Sequence, residues 1–95
     1  MNFVELKKQF LILYAAVKKY GDATNNPQLR TLEQLLMELE KEFPDIKVIE
    51  DLNHSLYPPH GGINDFFIWD DDFDKRLELN APIDNAKQIT WEMLN

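Results

Sequence analysis

Three groups of residues have types and spacings that invite chemistry. Asp70, Asp72 and Asp74 recur at every second position, the spacing that opens a calcium-binding helix-loop-helix loop. Counted from Asp70, the sixth position of that loop requires glycine and holds Lys75, and the twelfth requires glutamate and holds Ala81. The template fails twice, so no metal site is expected there. His54, His60 and Asp65 form the second group, the parts of a small metal-dependent enzyme, although no thiolate and no helical histidine pair accompanies them. His54 also stands beside Ser55, but neighbours on a helix or strand point apart, so adjacency is little evidence for a nucleophile and its base. The third group is Gly61 and Gly62, which lack the lysine and the strand-to-helix context of a phosphate loop. Their expected role is in the backbone, as positive-φ positions in a turn that follows Pro58 and Pro59 and leads through Asn64. None of the three groups implies a cofactor.

The segment from Asp65 to Asp74 is different in kind. Its five aspartates are interleaved with Phe66, Phe67, Ile68, Trp69 and Phe73. On alternating strand geometry Phe66 and Ile68 face a core, and Phe67 and Trp69 face away from it. That second face is either covered by a helix or open. If open, aromatic anchors ringed by carboxylates suit a surface rich in arginine and lysine. The candidate partner-binding residues are therefore Asp65, Phe67, Trp69, Asp70, Asp71, Asp72 and Asp74.

Charge along the chain points the same way. The net charge of −7 lies wholly in the second half: residues 1–43 balance six bases against six acids, and residues 44–95 set four bases against eleven acids. Binding to a phosphate backbone needs a basic patch, so nucleic acid is disfavoured and a basic protein partner is favoured. The absence of cysteine fits a reducing cytoplasm and excludes a disulfide framework or thiolate metal site. The run Phe10 to Val17, FLILYAAV, has the look of a secretory signal, but Glu5 precedes it and Lys18 and Lys19 follow it, and the apolar positions around it keep helical spacing. It is also far shorter than the ~20 residues that span a bilayer.

The elements that must position these residues fit one domain over 1–95, since a chain of this length holds a single core. Phe3, Leu6, Phe10, Leu13, Tyr14 and Val17 recur at steps of three and four, which predicts a helix over residues 2–20 stopped by Gly21. Asn26 and Pro27 read as an N-cap and first helical residue, and Leu29, Leu32, Leu35, Leu36, Leu39 and Phe43 carry the period on until Pro44. A short connection makes these two helices an antiparallel hairpin. Residues 45–56 suit a third helix capped by Asp45, though IKVI would also make a short strand. Asp65 to Trp69 reads as a strand, turned by Asp70 to Asp74 and returned through Arg76 to Leu79. Asn80 to Pro82 then opens a last helix with Ile83, Ala86, Ile89, Thr90, Met93 and Leu94 on its buried face. The expected fold is mainly α with a small β element (α+β): helical hairpin, third short helix, β-hairpin and C-terminal helix.

The order LYPPHGGINDFFIW, then a charged turn, then NAPIDNAKQITWEML resembles a family of small bacterial proteins. In that family a glycine pair and an Asn-Asp step lead into a strand, and a final helix carries a late aromatic residue. The matching positions are Tyr57, Gly61, Gly62, Asn64, Asp65, Asn80, Ile83, Asp84 and Trp91; Pro82 and the acid run Asp70 to Asp74 depart from the pattern. Small acidic proteins of this general type are often immunity proteins, made beside a toxin domain that they neutralise. That general type, not the motif, together with the acidic aromatic segment makes the expected function an immunity or antitoxin-like inhibitor that occludes a basic nuclease toxin encoded by an adjacent gene. The alternatives are a small enzyme using His54, His60 and Asp65, and a structural adaptor subunit.

Overall fold

The computed structural model describes residues 1–58 and 62–95 of the chain. Helix α1, Phe3–Tyr20, starts where the Asn2 carboxamide oxygen accepts the backbone N–H of Glu5 at 3.0 Å, and it ends at Gly21, whose N–H returns to the Val17 carbonyl. Gly21 is extended rather than left-handed, and what requires glycine there is space: a Cβ would lie 2.5 Å from the Val17 oxygen. A 3-10 turn at Ala23–Asn25 leads into α2, Asn26–Leu39. The cap of that 3-10 turn is Asp22, which accepts from Thr24 while the Asn25 side chain accepts the Asp22 amide; Asn26, expected as the cap of α2, is instead its first residue, and Asn25 before it makes no side-chain capping bond. Pro27 sits in the first turn as expected.

α2 stops at Leu39, short of Phe43, which is 84% exposed instead of continuing the apolar stripe. Glu38, buried at the end of α2, ties that end to the next element. Its carboxylate accepts the backbone N–H of Asp45 at 3.0 Å and an ammonium hydrogen of Lys41 at 2.9 Å. Those hydrogen bonds, the backbone one foremost, hold its pKa below the usual glutamate value. Asp45 then caps α3, Ile46–Ser55, by accepting from the Lys47 amide, so residues 45–56 resolve as helix.

The core forms where α1 lies between α2 and α4, Phe73–Leu94, with α3 closing against α2 and α4. Leu6, Phe10, Leu13, Leu32, Leu35, Ile49, Leu56, Ile63 and Ala86 are fully buried in it. Among the described residues no helix is long and apolar enough to cross a membrane.

The expected β-hairpin is absent: the described residues contain no strand. Ile63–Asp65 is a 3-10 turn, residues 66–70 run extended without a partner strand, and Arg76 to Leu79 lie inside α4. The helix begins seven residues before Asn80 because the acid run supplies its cap. Asp70 accepts from the Asp72 amide at 2.9 Å, Asp72 accepts from the Lys75 amide at 3.2 Å, and Asp74 stands in the first turn, where the helix dipole favours a carboxylate. Pro82, read as a helix opener, is interior to α4 and solvent-exposed, so the carbonyl that its missing N–H leaves unbonded faces the side where water can replace it. The buried face expected for the last helix is present, with Ile83, Ala86, Thr90 and Leu94 in the core.

Candidate functional site

The extended segment is held by a side chain acting in place of a neighbouring strand. Asn80, buried on α4, donates from Nδ2 to the Ile68 carbonyl at 2.8 Å and accepts the Ile68 amide on Oδ1 at 3.0 Å, meeting both of that residue's backbone groups as a β-ladder would. Its second amide hydrogen bonds the Arg76 carbonyl at 2.8 Å, which fixes the rotamer. Lys87, about two turns further along the same face of α4, donates to the Phe66 carbonyl at 3.4 Å. With its backbone pinned at two points, the segment alternates as a strand does: Phe66 and Ile68 are buried, and Phe67 and Trp69 are 57% and 68% exposed.

Phe73 and Leu77, one helical turn apart on α4, are also more than half exposed. The Arg76 guanidinium lies 4.2 Å from the centre of the Trp69 ring and 5.2 Å from that of Phe73, joining the extended segment to the helix in one surface. Phe67, Trp69, Phe73 and Leu77 therefore make an apolar ridge flanked by the acid run. Leu77, which the sequence puts in a strand, is not among the candidate residues, and Phe73, counted with the aromatics of the acidic segment, is left out of the partner-binding set because the sequence puts it in a turn. The cue was Asp72, a helix cap preceding Phe73 and Leu77 at i,i+4 spacing.

The aspartates are not idle. Asp70 caps Asp72 and pairs with Lys75 at 3.7 Å, Asp71 accepts the Trp69 indole N–H at 3.1 Å, and Asp72 caps α4. The acid run therefore shapes the ridge as well as charging it.

The residues weighed for catalysis are engaged elsewhere. His54 Nε2 lies 2.8 Å from the Asn95 side-chain oxygen, and the Ser55 hydroxyl donates back to the Asp51 carbonyl, so the two do not form a nucleophile and base. Among the described residues, no three His, Asp or Glu side chains converge on a point that could hold a metal ion. His60 and Gly61 lie outside the described residues. Gly62 has φ of −90°, so the positive φ expected of it is not adopted; the position needs glycine because a Cβ would fall 2.6 Å from Pro58 Cδ and 2.7 Å from the Leu56 oxygen.

A second concavity lies beside the ridge. Tyr57 and Asn64 face Asp84, Lys87, Gln88 and Trp91 of α4 across an open groove of about 570 Å³. Tyr57 meets Trp91 edge-on, ring centres 4.9 Å apart. Burial pushes the Lys87 pKa below the usual lysine value, against the pull of Asp84 and Asp65, and burial raises that of Tyr57.

No family model matches the sequence, and no curated protein or solved structure is similar to it.

Proposed function

We propose that the chain is a protein-binding module that docks a basic protein on the ridge of Phe67, Trp69, Phe73 and Leu77. In its specific form the proposal is an immunity-type inhibitor that covers the active site of a nuclease toxin encoded beside it. The observation that carries the reading is the exposure of four large apolar side chains on one surface, each more than half open to solvent, in a chain with few residues to spare for its core. Adjacent exposed aromatics of this size are characteristic of interaction sites, whereas isolated ones are ordinary. Trp69 has the side chain most often found at the energetic centre of an interface, and the carboxylates around it supply the polar rim.

The chemistry of the partner follows from the charge. The flanking Asp70, Asp71, Asp72 and Asp74, with Asp65 nearer Lys87, belong to the half of the chain that carries the whole −7, and opposite charge on a partner would both accelerate encounter and fix its register. Arg76 already rests on the Trp69 ring, so that ring accepts a guanidinium at close range. A nuclease surface, built to hold phosphate, offers arginine and lysine in quantity.

The test is calorimetry against the product of the adjacent gene. Trp69→Ala or Phe67→Ala should weaken binding by roughly ten- to thirtyfold, the range expected for a hot-spot aromatic. Phe43→Ala, which removes a still more exposed ring from the connection between α2 and α3, should leave affinity unchanged. Equal losses from all three variants, or none from Trp69→Ala, would place the interface elsewhere.

A further inference from the structure

The groove beside the ridge has a composition that the ridge does not share. Lys87 is half-buried in its wall, makes one long hydrogen bond to the Phe66 carbonyl at 3.4 Å, and is drawn by Asp84 and Asp65 without a direct ion pair to either. An ammonium has three hydrogens to place, and a partly desolvated one gains most from an anionic partner. Asp84 lies three residues earlier on the same helix, which sets the two opposite charges side by side along one wall, ~5–6 Å apart at their Cβ atoms. Trp91, a turn further on, is 44% exposed, and Tyr57 packs on it edge-on, leaving indole surface for a further ring. Asn64 and Gln88 add amide groups at the rim.

We propose that this groove binds a zwitterionic aromatic α-amino acid. Its carboxylate would meet Lys87, its ammonium would meet Asp84, and its ring would lie on Trp91 and Tyr57. The pairing of charges selects this class. A simple aromatic acid would be attracted by Lys87 and repelled by Asp84, and an aromatic amine would suffer the reverse, whereas an amino acid satisfies both groups and the rings together. The volume of about 570 Å³ lies within the ~300–1,000 Å³ of small-molecule sites. None of the groove residues belongs to the ridge, but Lys87 also bonds the Phe66 carbonyl behind it, so Asp84→Asn is the variant that separates the two sites.

The experiment is a titration of the isotopically labelled full chain with L-phenylalanine, following the indole N–H resonances of Trp91 and Trp69 by NMR. The expected result is a saturable shift of Trp91 with a Kd of about 1 mM or tighter, with Trp69, whose indole is bonded to Asp71, unmoved. Phenethylamine, which lacks the carboxylate, and phenylpropionate, which lacks the ammonium, should each bind at least about tenfold more weakly. Lys87→Met and Asp84→Asn should each weaken phenylalanine about tenfold, and Asp84→Asn should strengthen phenylpropionate. No saturable shift up to about 10 mM would overturn the proposal. Equal affinity for the three compounds would do so as well, since the rings alone would then account for binding.

Discussion

The helical hairpin and the segment from Ile63 to Leu77 solve opposite problems with the same kinds of residue. In α1 and α2 the apolar side chains recur at helical spacing, charges balance over residues 1–43, and Leu6, Phe10, Leu13, Leu32 and Leu35 are fully buried. In the later segment residues 66–70 run extended with no sheet to join, charge is strongly negative, and Phe67, Trp69, Phe73 and Leu77 point to solvent. The hairpin is stabilised by burial of area, which is distributed over many contacts. The ridge is positioned by a few directed hydrogen bonds, chiefly those of Asn80, and gains little from burying its own rings. A chain of 95 residues has a small core, and leaving four large apolar side chains outside it is costly in folding terms. The difference teaches that distributed burial builds the scaffold while a few directed hydrogen bonds from α4 hold the exposed surface in place.

The sharpest break of that comparison is in the hairpin. Leu13 is fully buried, and Leu13→Ala should destabilise the whole fold by about 2–5 kcal/mol through lost transfer energy and a residual cavity. Urea denaturation should show one cooperative transition at a lower midpoint, with ridge and hairpin melting together. Asn80→Ala should have a smaller and more local effect. It leaves both backbone groups of Ile68 without their partners, costing about 1–3 kcal/mol, and it should raise amide exchange at Ile68 and Trp69 well before it affects α1. Uniform exchange across the chain in that variant would mean that Asn80 is not what holds the ridge.

The smallest effect expected is in the dependence on pH. Glu38 has its pKa lowered by the Asp45 backbone amide and Lys41, so its contribution to stability is present above the ordinary glutamate value and lost as pH falls through the lower folded-state value. The difference in urea midpoint between the native chain and Glu38→Gln should be largest near neutral pH and close on acidification.

Much of this was legible in the sequence, and the misses share a cause. The helices α1, α2 and α3 follow from apolar spacing, from Gly21 and from Asp45, all local signals. The alternation of Phe66 and Ile68 against Phe67 and Trp69 was also readable, because it depends only on an extended backbone. What failed was the inference from an extended run to a β-hairpin. The aromatic, β-prone stretch before an acidic turn has the local look of a strand, but its hydrogen-bonding partner is a side chain twelve residues away, which no local pattern announces. The early start of α4 was masked by Pro82, whose usual place is a first helical turn, although the Asp72 cap was available to be read. Phe43 was counted into α2 by spacing alone, and the helix ends before it. The groove joins Tyr57, Asn64 and four positions of α4, so its existence depends on tertiary packing rather than on any one segment.

The account rests most heavily on the division of labour within the ridge, and association and dissociation rates measure it separately. Charge around an interface chiefly sets how fast partners meet and how that rate depends on salt, whereas buried aromatics set how slowly they part. The decisive measurement is surface-plasmon kinetics against the adjacent gene's product, at low and high salt, for two variants. Replacing Asp70, Asp71 and Asp72 together by Asn should slow association at low salt, with the deficit shrinking as salt rises. Trp69→Ala should instead speed dissociation, by a factor equivalent to about 2 kcal/mol, at both salt concentrations. Unchanged association at low salt for the Asn variant, together with unchanged dissociation for Trp69→Ala, would contradict the assignment of this ridge as the docking surface.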